Sequence, residues 1–158
     1  MTLVQATVTQ NGADIGAGLR LSFGLRTEFY NSTIAQNTAG ISGGGVSAAS
    51  SPIYAVSTVI GENTAPLDAD IQGTIFAVHS LIENLGDATV FSGGGTLTNE
   101  DPLLGALGMH GGPTATLAPT AHSPLIGTGS DPLGLVIDQR GDLRIVHGRV
   151  DIGAVELG

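Results

Sequence analysis

The chain has 158 residues, with 14 Asp and Glu against 5 Arg, a net charge of −9, and neither Lys nor Cys. That length suffices for one domain with a sizeable core. The missing Cys excludes a disulfide scaffold and a thiolate metal site, and the missing Lys excludes Schiff-base chemistry and a Lys general base. The acidity argues against nucleic acid and anionic membrane surfaces as partners, and no apolar run is long enough for membrane insertion.

Hydrophobic residues make up 41% but aromatics only 4%, and there are 25 Gly. This suits a thin interior of Val, Ile, Leu, Ala and Thr with many tight corners. Met1-Thr2-Leu3-Val4 leads straight into the first repeat with no signal peptide. The start therefore reads as cut, with further repeats expected upstream or trimmed away.

A short phrase then recurs. It is weak in Ala6-Thr7-Val8-Thr9-Gln10-Asn11 and clear in Ser32-Thr33-Ile34-Ala35-Gln36-Asn37, Ser57-Thr58-Val59-Ile60-Gly61-Glu62-Asn63 and Ser80-Leu81-Ile82-Glu83-Asn84. Val8, Ile34, Val59 and Ile82 are spaced by 26, 25 and 23 residues, and Asn11, Asn37 and Asn63 by 26 and 26. A fixed period of this size marks a solenoid. Because each unit is strand-like, the sequence predicts an all-β fold: a right-handed parallel β-helix of about four coils over residues 1–98. Residues 99–158 should form a loop-rich tail and closing strands packed on the same domain.

In chain order the predicted strands are 6–9, 18–21 and 25–30 in the first coil. The second coil has 32–36, 45–48 and 53–56, and the third 57–60, 70–72 and 74–78. Val8, Ile34, Val59 and Ile82 should form one inward row. Asn11, Asn37 and Asn63 suit left-handed turns and could pass hydrogen bonds from coil to coil. Gly43-Gly44-Gly45 reads as a corner rather than a phosphate loop, since neither a helix nor a Lys follows. Residues 91–97 close the repeats, residues 101–107 could form a helical turn, and strand character returns at 135–138 and 151–156. The tail should shield a flank or end of the stack through Leu103, Leu104, Leu107, Leu117 and Leu125.

The tail phrases Asn99-Glu100-Asp101-Pro102-Leu103-Leu104-Gly105, Gly111-Gly112-Pro113-Thr114, Ser123-Pro124-Leu125-Ile126, Asp138-Gln139-Arg140-Gly141 and Asp151-Ile152-Gly153-Ala154-Val155-Glu156 carry a resemblance. With Asn31-Ser32-Thr33-Ile34, their joint occurrence in this order resembles bacterial right-handed parallel β-helix proteins of the choice-of-anchor Q type, also labelled polymorphic outer-membrane-like repeat proteins. The chain departs from that pattern at Met109-His110, Leu125 and Gly127-Thr128-Gly129. The resemblance implies an exported or cell-surface bacterial protein, extracellular in location, with no chemistry common to the family.

Because parallel β-helices also house polysaccharide lyases and glycoside hydrolases, the carboxylates are weighed as catalytic candidates. Such chemistry needs two carboxyl groups about 5–9.5 Å apart. Asp68 and Asp70 would share a face if they lay in a strand, as a candidate pair or a weak calcium site; two Asp alone do not make one. Asp138, Arg140, Arg144, Arg149, Asp151 and Glu156 form the densest charged cluster. Asp138, Arg140 and Asp151 are its catalytic candidates, against a structural reading as Arg–carboxylate forks tying the tail down. In that structural reading Arg140 is buried, with Asp151 or Glu156 among its partners. His110, His122 and His147 would bind zinc only if the tail folded back on itself.

With Lys absent and three of the five Arg in the closing phrases, the sequence favours a non-catalytic structural or adhesive module. It would need no cofactor and would bind a polysaccharide or a surface protein. The alternative is a carbohydrate-active enzyme or a fragment of one. The first coil, showing Val4, Val8 and Leu19 at a bare end, predicts self-association there, most simply as a two-fold dimer.

Overall fold

The computed structural model describes residues 1–22, 24 and 26–157, the side chains of residues 49 and 50 excepted. Its strands are β1 (Thr2–Val4), β2 (Thr7–Thr9), β3 (Gly12–Ile15), β4 (Leu19–Arg20), β5 (Thr27–Tyr30), β6 (Thr33–Ala35) and β7 (Thr38–Ser42). They continue as β8 (Val46–Val56), β9 (Val59–Gly61), β10 (Ile71–Val78), β11 (Leu81–Ile82), β12 (Thr89–Ser92) and β13 (Leu97–Thr98). No helix occurs among the described residues. Of the predicted strand at 25–30, residue 25 lies outside the described residues.

One sheet runs β1-β5-β8-β10-β12, with β4 also on β8; a second runs β2-β6-β9-β11-β13; a third pairs β3 with β7. Every strand pairing is parallel. The architecture is all-β, with parallel strands in sheets around a shared interior, and is compatible with a β-solenoid. The third sheet was not anticipated: β3 and β7 lie in stretches whose Gly, Asp and Ser read as turns. The two separate strands expected at 45–48 and 53–56 are one continuous β8.

Corners end the strands abruptly. Gln5, Asn31, Ser57 and His79 hold φ of 47, 46, 52 and 45°, at equivalent places between the first and second sheets. Gln10, Gln36 and Glu62 do the same after the second sheet, at 56, 58 and 55°. The left-handed residue at that corner therefore precedes the recurring Asn, which is a correction to the sequence reading. Non-Gly residues in this region carry strain of about 1–3 kcal/mol each and persist only where surrounding contacts over-determine them.

Those contacts come from the asparagines. Nδ2 of Asn11 donates to Oδ1 of Asn37 (2.9 Å), and Nδ2 of Asn37 to Oδ1 of Asn63 (2.9 Å). The backbone N–H of each also donates to the next Oδ1, at 3.1 and 3.0 Å. The ladder needs glycine beside it. A Cβ on Gly18 would lie 3.0 Å from Nδ2 of Asn37, and one on Gly45 2.7 Å from Nδ2 of Asn63. The Gly43–Gly45 run is thus a corner crowded by the next tier, as the sequence indicated. At the other corner Ser32, Thr58 and Ser80 each donate to the carbonyl two residues back, at 2.8, 3.1 and 3.0 Å.

The second sheet's register aligns Val8, Ile34, Ile60 and Ile82 in one row and Thr7, Thr33, Val59, Leu81 and Leu97 in the other. Val59 therefore does not join the inward row; Ile60 does. Because strand side chains alternate, one residue's slip reverses the face. The first row packs with Phe29, Ile53, Ile71 and Ile75 in the interior. The second row faces outward, yet it too is buried, because Leu125 and Ile152 of the tail pack on Val59 and Leu81, with Leu97 and Leu104 beside them.

The tail crosses the outer face of this sheet from tier to tier. Gln139 meets Thr7 (2.6 Å), the N–H of Ala154 meets Oγ1 of Thr33 (3.1 Å), and the N–H of Gly153 meets the Ser57 carbonyl (2.9 Å). Of the five predicted tail contacts, Leu117 and Leu125 are buried and Leu104 is half-buried. Leu107 is also half-buried, whereas Leu103 is 37% exposed, a correction. Residues 101–107 form no helical turn: the Asp101 carboxylate accepts from the N–H of Leu103 (2.7 Å), and Leu104 bridges Pro119 in extended backbone. The predicted closing strands at 135–138 and 151–156 are irregular segments, the second wholly buried.

Two substitutions separate the layers. Ile60→Ala should cost about 2–5 kcal/mol by leaving a cavity in the interior. Val59→Asp should instead loosen the tail, so that hydrogen exchange rises in 123–129 and 150–156 while the interior strands stay protected. Equal loss of protection in both layers would show that they form one cooperative unit.

Candidate functional site

Asp70 stands where a fourth ladder asparagine would. Its Oδ1 accepts from Nδ2 and N–H of Asn63 (2.8 and 3.1 Å), and its Oδ2 from the N–H of Asn84 (2.7 Å). Each ladder Asn passes a donor forward, so the last member must present acceptors on both sides; a carboxylate does this and an amide does not. Burial raises the Asp70 carboxyl to about 6, against the lowering effect of the Asn63 and Asn84 hydrogen bonds. Asp68 lies outside any strand with φ of 50°, and its Oδ1 accepts from the N–H of Asp87 (2.9 Å), pinning the following turn. Both carboxylates thus tie down the 84–87 turn, rather than lining one strand face.

The tail cluster is assembled by the return of 138–144 and 149–157 on the second sheet. Oδ1 of Asp138 accepts from the N–H groups of Arg140, Gly141 and Asp142 (2.7, 3.1 and 3.2 Å). Its Oδ2 accepts from Nε of Arg140 and the N–H of Glu156, both at 2.9 Å. Oδ1 of Asp151 accepts from the N–H of Gly127 and Oδ2 from that of Leu157, both at 2.7 Å. Both oxygens of Glu156 accept from the N–H of Asp151 (2.9 and 3.1 Å).

The arginines exchange the roles expected of them. Arg140 pairs with Asp138 (2.9 Å) and the exposed Asp142 (3.2 Å), and donates to the backbone carbonyl of Glu156. Neither the Asp151 nor the Glu156 side chain is its partner, a correction. The fully buried guanidinium is Arg144, whose Nη1 lies 3.1 Å from Oε1 of Glu156 and whose Nη2 donates to the Asp151 carbonyl (2.9 Å). Burial pushes Glu156 up to about 7, partly offset by Arg144, and pushes Arg144 below its ordinary range. Sequence spacing could not separate Arg140 from Arg144, since both flank the same turn.

Ile126, Gly127, Val146, His147, Arg149, Asp151 and Glu156 line a cavity of about 100 Å³. Here the structure gathers His147 with Asp151, which the sequence had placed in different candidate sets. His110 contacts the Ala106 carbonyl through Nε2 (3.1 Å), and His122 is exposed. Among the described residues no three His, Asp or Glu side chains are arranged to hold a metal ion, so the weak zinc candidates His110, His122 and His147 are not brought together.

On the outer face of the first sheet Tyr54, Phe76 and Phe91 stack, with ring centroids 5.1 and 4.6 Å apart. The Arg26 guanidinium lies 5.5 Å from the Tyr54 centroid. This row follows the register Glu28, Tyr54, Phe76, Phe91. It went unseen in the sequence because its members are spaced unevenly. Comparison with protein-family models, with curated proteins and with solved structures finds no match.

Two stability measurements test these assignments. Arg144→Ala strands the buried Glu156 carboxylate and should cost about 3–5 kcal/mol, well above the cost of Arg140→Ala at a partly solvated fork; thermal unfolding of both variants gives the order. Asp70 and Glu156 have folded values near 6 and 7, above their ordinary 3.8 and 4.5. The fold therefore holds their protons more tightly than the unfolded chain does, and their contribution to stability grows as pH falls from about 7 to about 4. Asp70→Asn should flatten the part of that rise between about 6 and 4 in a pH series of unfolding midpoints.

Proposed function

We propose that this chain is a non-catalytic structural or adhesive module: a right-handed parallel β-helix of about four coils with a loop-rich C-terminal cap, from an exported or cell-surface bacterial protein. The observation that carries it is the engagement of three of the four candidate catalytic carboxylates, Asp68 being half-buried with one oxygen bonded. Asp70, Asp138 and Asp151 are buried, and both oxygens of each accept from backbone N–H groups of other tiers or turns. A general acid or base needs a proton position open to substrate. Carboxylates saturated by main-chain donors hold loops in place. No cofactor enters this reading.

Its partners are a surface protein or polysaccharide on the face of the rod and a second copy at the N-terminal end. The aromatic row favours protein over sugar. The rings stack on one another, which takes up ring face that packing against a sugar would use.

The cavity beside His147, Arg149, Asp151 and Glu156 favours a second reading, as a polysaccharide lyase or glycoside hydrolase or a fragment of one. Incubation with uronic-acid and neutral polysaccharides distinguishes the two. The expected outcome is no release of reducing ends or unsaturated products. Turnover that disappears in an Asp151→Asn variant folded like the wild type would establish the enzyme.

A further inference from the structure

The two large sheets differ in what lies on their outer faces. The tail covers the second, as is usual for a parallel sheet. It stops at the corner with the first: Nδ2 of Asn31 donates to the Ser130 carbonyl (2.9 Å), and Nδ1 of His79 lies 3.1 Å from the Thr128 carbonyl. Beyond this corner the first sheet shows two outward rows, Tyr54, Phe76 and Phe91 in one and Tyr30, Val56 and Val78 in the other. Tyr54, Phe76, Val78 and Phe91 are between 36 and 53% exposed, and Tyr30 and Val56 are half-buried. A contiguous apolar patch of this kind marks an interaction surface.

Charge narrows what fits there. Of the 14 acidic residues only Glu28 lies in a strand of the first sheet. Nη2 of Arg26 holds it at 2.7 Å, so the pair adds no net charge to the face. Arg20 on β4 opposite Ser47, Asp87 before β12, and Asp131 at the corner, where it is attracted to Arg144, flank the rows without lying in them. An anionic partner therefore finds no unpaired cation among the rows, and a basic partner no unpaired carboxylate. The complement is an uncharged apolar surface. In a chain of net charge −9, this face lets a second copy approach without setting carboxylate against carboxylate.

Resting on the reading of the chain as a non-catalytic association module, we propose that two copies pair side by side through the outer faces of their first sheets. Tyr54, Phe76, Val78 and Phe91 of one pack on those of the other. The rows lie on β5, β8, β10 and β12, so the contact needs neither end of the stack. A face that meets its own copy does so about a two-fold axis. An axis along the strands sets the Arg26–Glu28 end of one row by the Phe91 end of the other and keeps the two Glu28 carboxylates apart. An axis along the stack would bring them together. The rows span four strands about 4.8 Å apart and about four residues of about 3.3 Å each, roughly 250 Å². A standard interface takes about 800 Å² per partner, so the pairing is reversible rather than obligate.

Light scattering and sedimentation of the whole chain, followed up to about 1 mM, read the association. The wild type should show a concentration-dependent dimer. Phe76→Glu and Phe76→Arg, each checked for wild-type unfolding, place an unpaired charge in the contact and should each dimerise at least about tenfold more weakly. An equimolar mixture of the two should recover association, because the two-fold sets position 76 of both copies within about one 4.8 Å tier of each other. Phe91→Glu, at the most exposed end of the row, gives the same readout if a Phe76 variant unfolds early. A wild type that stays monomeric over that range, variants that associate as tightly as the wild type, or a mixture no stronger than its components would overturn the proposal. So would a monomeric wild type that binds a neutral polysaccharide and loses it in Phe76→Glu, which would give the face to a sugar. Each of these leaves the non-catalytic reading standing, since polysaccharide turnover is measured independently.

Discussion

The chain of side-chain amides through Asn11, Asn37 and Asn63 to the Asp70 carboxylate is the interaction on which the stacking depends. Most strands of the second sheet are only two or three residues long, so each pairing contributes few hydrogen bonds. Short parallel strands specify their own register weakly. A buried side chain bonded to its equivalent in the next tier specifies it strongly, because a slip of one residue would leave donors unmatched in a region closed to water. The same ladder explains the left-handed Gln10, Gln36 and Glu62 and the bare Gly18 and Gly45. The strained turn and the missing Cβ both make room for it.

The tail supplies the second constraint. An antiparallel sheet with one face on the core commonly shows a polar outer face to solvent, whereas a parallel sheet is usually covered on both faces. Here the outer row carries Val59 and Leu81, and the tail covers them with Leu125 and Ile152. The tail itself has almost no regular structure, so its backbone groups find partners one by one. That is the work of Asp138, Asp151 and Glu156, which between them bind seven main-chain N–H groups. An acidic chain without Lys uses carboxylates as fixed acceptors for loop backbone, and Arg140 and Arg144 balance the charge concentrated there.

This use of charge bears on function. Clusters of acidic and basic residues invite a catalytic reading, but the donors they face are the protein's own amides. The outer face of the first sheet, with its aromatic row, is the surface that the proposed reading assigns to association.

The recurring Ser-Thr-Ile and Asn phrases determined the all-β character and the tier-to-tier equivalence of Asn11, Asn37 and Asn63. Periodicity carries that much because equivalent tiers need equivalent residues. Whether Val59 or Ile60 faces inward lay outside its reach: both are apolar, both are buried, and only the register against Ile34 and Ile82 separates them. The distinction between Arg140 and Arg144, the role of Asp70 as the ladder's last acceptor, and the meeting of His147 with Asp151 were likewise decided by the fold. Each depends on which backbone amides the returning tail brings within hydrogen-bond distance, and a loop without a repeat carries no periodic signal from which to read that.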